Sequence, residues 1–262
     1  MTDRILENDL NLLIPAKRAP SLSSVNKYGY SPDGVQAIGS DIWDRADATP
    51  TQATWVAPLG ASPHVISSTS GLDTNTGPGV GANKLQIYGL TDWDTPEVSE
   101  IIELNGLTGV NTVNNYVIIH RMRVIEYGAI GPNVGVITAV EGAVTTAQIN
   151  AQQGQTQMAI YGFCSQQVAY MTNWYASIHK ASGAAADVIF QLQLTIDPDG
   201  LGATRFIVKE TRGLQSNGTS NGVWEKKPYA RFEGPGILKV RAFGSADDID
   251  AAAGFDLILR DK

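Results

Sequence analysis

From Asp187 to Ile196 the chain reads DVIFQLQLTI, in which Val188, Phe190, Leu192, Leu194 and Ile196 alternate with Ile189, Gln191, Gln193 and Thr195. A period of two puts all five of the first set on one face of an extended strand, which no helix can do. Asp197-Pro198-Asp199-Gly200 then reads as a turn. The same pattern of short alternating runs and turn residues recurs elsewhere. After about residue 156 come MAIYGF, VAYMTNWYASIHK, RFIVKE, ILKVRAFG and FDLILRD. Before it, Leu85 and Ile87 lead to Ile102 and Leu104, which precede the strong turn signal Asn105-Gly106. In NYVIIHRMRVIEYG, Ile119, Arg121 and Arg123 share one face, and His120, Met122 and Val124 share the other.

Two such series predict an all-β chain of two antiparallel β-sandwich, jelly-roll-like domains, over residues 46–155 and 156–262. Residues 1–45 are expected to form an extended N-terminal arm. Their apolar residues Leu10, Leu12, Leu13 and Ile14 are interrupted by Pro15, Pro20 and Pro32 and suffice for no core. Leu6, Leu10 and Leu13 would line one face of a short helix, and the arm as a whole is expected to lie on a neighbour. Ser245, Asp247 and Asp248 are read as the start of a helical turn ending at Gly254.

The stretch GPGVGANKLQIYGL raises the question of a phosphate-binding loop. The order is wrong for one: Gly77, Gly79 and Gly81 precede an alternating strand rather than open a helix, and Lys84 is followed by Leu85 rather than Ser or Thr. His64, His120 and His179 are far apart and show no local ligand spacing. Cys164, the single cysteine, reads as a small buried residue and allows no intrachain disulfide. Asp92, Asp94 and Glu97, like Asp247, Asp248 and Asp250, lack the spacing of a calcium loop and suit turns and caps. No catalytic, cofactor or metal site is expected, and the chain is not read as an enzyme. Trp174 and Tyr175 should face opposite sides of a strand. Trp43, Trp55, Trp93 and Trp224 are the candidates for surface aromatic contacts, with packing against the arm or a neighbouring subunit favoured over stacking on sugars.

Charge limits the partners. The chain carries a formal charge of −7, and residues 41–155 hold all of it, with 4 Lys and Arg against 11 Asp and Glu. That argues against direct nucleic-acid binding, which needs clustered cations. No run approaches about 18 apolar residues, and the first residues lack the pattern of a secretion signal, so no membrane association is expected.

Several phrases together resemble virion structural proteins of environmental and marine tailed phages: VNKYGYSPD, SDIWD, GVGANKLQIYGLTDWDTPEVSEIIELNG, YVIIHRMRV, QTQMAIYGF and KVRAFGSADDIDAAAGFDLILRD. They extend over most of the chain, and their order is more specific than any one of them. The resemblance implies a capsid-associated or accessory head component, made in the host cytoplasm and located in the virion, with no catalytic residues. It leads to the expectation of a decoration or cement protein, a homotrimer whose partners are the major capsid protein and sister subunits. A receptor- or carbohydrate-binding module of a fibre or tail is the alternative, and a jelly-roll major capsid subunit the second alternative.

Overall fold

A computed structural model describes residues 13–15, 19–32, 35, 37–44, 53–58, 60–77, 79–179, 186–199, 205–216, 219–245 and 249–262. The chain is all-β, built from small antiparallel sheets. Its strands are β1 (Leu22–Ser31), β2 (Ser40–Asp41), β3 (Val65–Ser68), β4 (Ala82–Leu90), β5 (Val98–Glu103), β6 (Val110–Asn111), β7 (Ile118–Tyr127) and β8 (Ile137–Glu141). They continue as β9 (Val144–Ile149), β10 (Ile160–Phe163), β11 (Gln167–His179), β12 (Ala186–Thr195), β13 (Ile207–Ser216), β14 (Thr219–Glu233), β15 (Gly236–Gly244) and β16 (Asp250–Asp261).

Sheet order departs from sequence order. One sheet runs β1-β16-β11-β14, and a second runs β10-β15-β12-β13 with β2 attached to β15. Val188, Phe190, Leu192 and Leu194 of β12 turn into a core between these two sheets, where they meet Met171, Trp174, Phe255 and Leu257. Ile189, on the opposite face, is exposed, as its place in the alternation requires. The segment between β2 and β10 forms two further sheets, β6-β3-β8-β9 and β5-β4-β7, which share a second core around Leu85, Ile87, Ile102, Tyr116, Ile118 and Met122.

The two cores share a wall. Tyr161 and Phe163 of β10 and Leu238 and Val240 of β15 point into the first core, whereas Ile160 and Ile237 point into the second. Residues 236–240 are buried without a break, because both faces of this sheet are covered. Gly162 sits at the contact. A Cβ there would lie 3.0 Å from Ile118 Cγ2 and 3.3 Å from Trp93 Cζ3, so the second core closes tightly on this strand and a larger residue would push those side chains back.

The expected arm is shortened by this arrangement. Residues 22–31 pair with β16 from Leu22↔Arg260 to Ser31↔Ala251, and Val35 and Ile42 belong to the first core. The chain enters the fold by Leu22. Alternation did not reveal β1 because its inward positions are Val25, Lys27, Gly29 and Ser31, only one of them a large apolar residue. Ile14 is 4% exposed and Leu13 is half-buried, so Ile14 packs on its own chain; Leu10 and Leu12 lie outside the described residues. The helical turn expected from Ser245 to Gly254 is corrected at its end, while Asp247 and Asp248 lie outside the described residues. Asp250 to Gly254 are the first residues of β16, held in the ladder by Ala251↔Ile178 and Ala253↔Ala176.

Candidate functional site

A buried carboxylate sits against the glycine-rich loop. Asp73 is fully buried, and its carboxylate accepts from Ala82 N–H and Val134 N–H at Oδ1, both at 2.8 Å, and from Gly135 N–H at 2.8 Å and Ser68 Oγ at 2.6 Å on Oδ2. The chain supplies its own anion. A Cβ on Gly81 would come within 2.1 Å of Asp73 Oδ1, so the glycine makes room for a carboxylate from the same fold. Lys84 instead pairs with Glu126 at 3.0 Å and Glu103 at 3.9 Å on the surface of the β4 sheet.

Three of the four candidate tryptophans prove to be interior. Trp43, Trp55 and Trp93 are 2%, 3% and 7% exposed and belong to the second core, with Trp55 Nε1 donating to Thr146 O at 2.8 Å. They offer no surface contact, because the shared wall and the inserted sheets close over their large apolar rings. Trp224 is half-buried and tilts against Trp174 with centroids 4.5 Å apart, while the Arg212 guanidinium lies 5.8 Å from its ring. Trp174 faces the core and Tyr175 faces out. Tyr175 lies over Gly254, where a Cβ would meet its hydroxyl at 2.4 Å, and across the strands it aligns with Tyr28 and Val223.

The histidines do not meet. His64 is buried in the inserted sheets beside Ser62 O, and His179 bonds Thr219 Oγ1 at 3.0 Å near the end of β11. Among the described residues no three His, Cys, Asp or Glu groups are placed to share a metal ion. Cys164 is a buried free thiol, pushed up from its ordinary range by that burial. Asp92 is a turn residue, accepting from the N–H groups of Asp94 at 2.8 Å and Thr95 at 2.6 Å.

His120 is the exception to the bland reading. It borders a cleft of about 520 Å³ at the seam where β1 meets the β5-β4-β7 sheet, lined also by Lys27, Tyr88, Glu97, Arg121 and Tyr161. His120 is 1% exposed; its Nε2 donates to Glu97 Oε2 at 2.5 Å, and its ring tilts over Tyr161 at 4.4 Å. Lys27, 5% exposed, reaches across from β1 and donates from Nζ to His120 O at 2.5 Å. Burial is the largest single influence on the pKa values of His120, Lys27 and Glu97 alike. It lowers His120, so the imidazole is neutral and its Nδ1 is left as a buried acceptor without a partner among the described residues. Burial together with repulsion from Arg121 brings the Lys27 amine down to about 7, against an opposing pull from Glu97. Burial would raise Glu97, but the His120 bond and the nearby cations outweigh it and hold the carboxyl below its ordinary value. Of these residues only His120 and Glu97 were singled out from the sequence, and neither for this role.

A second polar group lies beside β2. Lys239 Nζ and Asp41 Oδ2 are 2.8 Å apart with both side chains buried, Trp55 N–H donates to the same oxygen at 2.8 Å, and the amine stands 4.2 Å from the Phe206 ring centroid. It fastens β2 and the start of the inserted segment to β15, and its role is positional.

No protein-family model and no curated protein matches the chain. Structural comparison finds infectious bursal disease virus of the Gx strain at 10% identity and a TM-score of 0.22, covering 91% of this chain and 70% of that one. The T=1 particles derived from that virus give 12% identity and 0.22 over 91% and 68%. Its VP2 subviral particle gives 12% and 0.19 over 91% and 71%. Scores this low carry no argument about fold or role.

Proposed function

We propose that the chain is a phage virion structural protein, a decoration or cement protein that binds and stabilises the head shell as a homotrimer in contact with the major capsid protein. The observation that carries this reading is the order β1-β16-β11-β14 packed over β10-β15-β12-β13. That order matches an eight-stranded jelly roll, an architecture common in capsid proteins, with the acidic segment inserted between β2 and β10. The inserted sheets also share a core but do not follow that order, so the jelly-roll reading applies to the outer unit alone.

The edges of that unit support a role in assembly. β13 and β14 end the two sheets, and Ile207, Val208, Val223 and Tyr229 stand exposed on them. Apolar side chains on open edges favour contact with another protein, while Glu225, Lys227 and Arg231 on β14 discourage indiscriminate strand addition. The charge distribution suggests an orientation. The nearly neutral roll faces the shell, and the inserted unit, with 4 Lys and Arg against 10 Asp and Glu over residues 42–159, projects outward, where neighbouring copies are separated by more than the screening length of about 8 Å.

Cryo-electron microscopy of the particle tests all of this together. The expected result is density on the head with threefold symmetry and the inserted unit outermost. Density on a tail or fibre would remove the decoration reading, and an inserted unit buried against the shell would remove the orientation. A receptor- or carbohydrate-binding module is favoured by a separate observation, the outward face bearing Tyr28 and Tyr175, and glycan-array binding by the purified chain would select it. Closed shells formed by the chain expressed alone would select a jelly-roll major capsid subunit.

A further inference from the structure

The seam cleft holds an arrangement that a purely structural protein does not need. Two basic side chains border it from opposite sides, Lys27 on β1 and Arg121 on β7, and their mutual repulsion is one of the influences on the Lys27 amine. The nearest carboxylate, Glu97, is already bonded to His120, and Asp261 lies at the exposed rim. Arg121 has no carboxylate within ion-pairing distance among the described residues. Lys27 Nζ has three hydrogens and one acceptor, His120 O, and a buried ammonium with spare donors is costly unless an anion accompanies it. Lys27 comes from β1 and His120 and Arg121 from β7, so the site exists only where the two units meet.

We propose that this cleft binds a small oxyanion, a carboxylate or phosphate group carried by a ligand, between Lys27 and Arg121. The anion accepts from the free Lys27 hydrogens and the guanidinium, and Ser24, Asn26 and Gln167 line the cleft as further polar contacts for the rest of the ligand. Binding takes up a proton, because the amine is half neutral near pH 7 in the empty site and is held charged by the anion. The titratable groups facing it are Glu97, His120, Arg121, Tyr161, Tyr88 and Asp261. Of these, His120 and Tyr161 are held neutral by burial, and Glu97 stays ionised. The reading is independent of any place on a virion.

Isothermal titration of the full chain with sulfate and with acetate, at pH 6 and pH 8, tests it. Both probes keep a constant charge over that range, sulfate standing for a phosphate ester and acetate for a carboxylate, and the tighter one identifies the source. The expected result is saturable binding at pH 6 that weakens about tenfold by pH 8, as the charged fraction of an amine titrating near 7 falls about tenfold. The binding heat should depend on the ionisation enthalpy of the buffer. Lys27→Met, which replaces a buried amine with an apolar chain of similar length, should stay folded and lose both the affinity and its pH dependence. Arg121→Gln should weaken binding at pH 6 and, by removing the repulsion that helps lower the Lys27 amine, move the pH dependence to higher pH. No saturable binding of either probe at pH 6 overturns the proposal, as does equal binding by Lys27→Met.

Discussion

At the scale of single residues, the buried charges follow one rule: each is tolerated where the fold supplies partners, and its cost appears when a partner is removed. Asp41 and Lys239 are the clearest case, since the side chains are 0% and 3% exposed and Asp41 Oδ1 has no hydrogen-bond partner among the described residues. Lys239→Ala would leave a carboxylate in the interior with the Trp55 amide alone, and a loss of about 3–5 kcal/mol is expected from urea unfolding. The double change Lys239→Met with Asp41→Leu should recover most of it, because the ion pair itself adds little over a packed apolar pair. Asp44 behaves differently. Burial pushes its carboxyl up to about 6, against the bonds from the Asn150 backbone and side chain. The folded protein therefore holds that proton more tightly than the unfolded chain. The resulting stabilisation is complete below the ordinary value of 3.8 and is lost as pH rises through about 6. Carbon-detected NMR should show the Asp44 carboxyl titrating near 6, and a midpoint near 3.8 would refute this.

At the scale of elements, β1 separates what is necessary for folding from what precedes it. It pairs along its whole length with β16, and its Gly29 lies so close to the next layer that a Cβ would be 2.4 Å from Ile42 O and 2.5 Å from Ala159 N. Deleting residues 1–19, which removes the buried Ile14 but leaves β1 paired, should lower the unfolding midpoint while keeping circular dichroism and cooperative unfolding. Deleting residues 1–31 removes an edge strand over Phe255 and Leu257 and leaves the β16 edge open, so aggregation on size exclusion and loss of cooperative unfolding are expected. Equal behaviour of the two truncations would show that β1 is dispensable.

At the scale of the whole molecule, the shared wall makes two cores one cooperative unit. Ile237 sits on a strand of the outer unit but packs in the second core. Ile237→Ala should cost about 2–5 kcal/mol. Because β15 serves both cores, amide exchange should quicken by the same factor in β4 and β7 as in β11 and β16. Faster exchange confined to β4 and β7 would mean that the inserted unit opens independently.

The sequence by itself determined the class of element and most of what each strand buries. Alternation in residues 187–196, the turn at Asn105-Gly106 and the opposed faces of Trp174 and Tyr175 depend on near neighbours, and near neighbours decide which way a side chain points. It also determined that the glycine-rich loop feeds a strand rather than a helix, since the order of loop and strand is local. Only the tertiary structure decided that residues 22–31 belong to the fold, because the apolar surface that makes β1 a strand is supplied by β16, more than 200 positions away. The same holds for Trp43, Trp55 and Trp93, whose burial depends on the insertion closing against β10 and β15. The seam cleft was illegible for the same reason: Lys27, Glu97, His120 and Arg121 share no spacing that signals chemistry, and burial of an amine against a distant carbonyl is a property of packing, which no stretch of sequence contains.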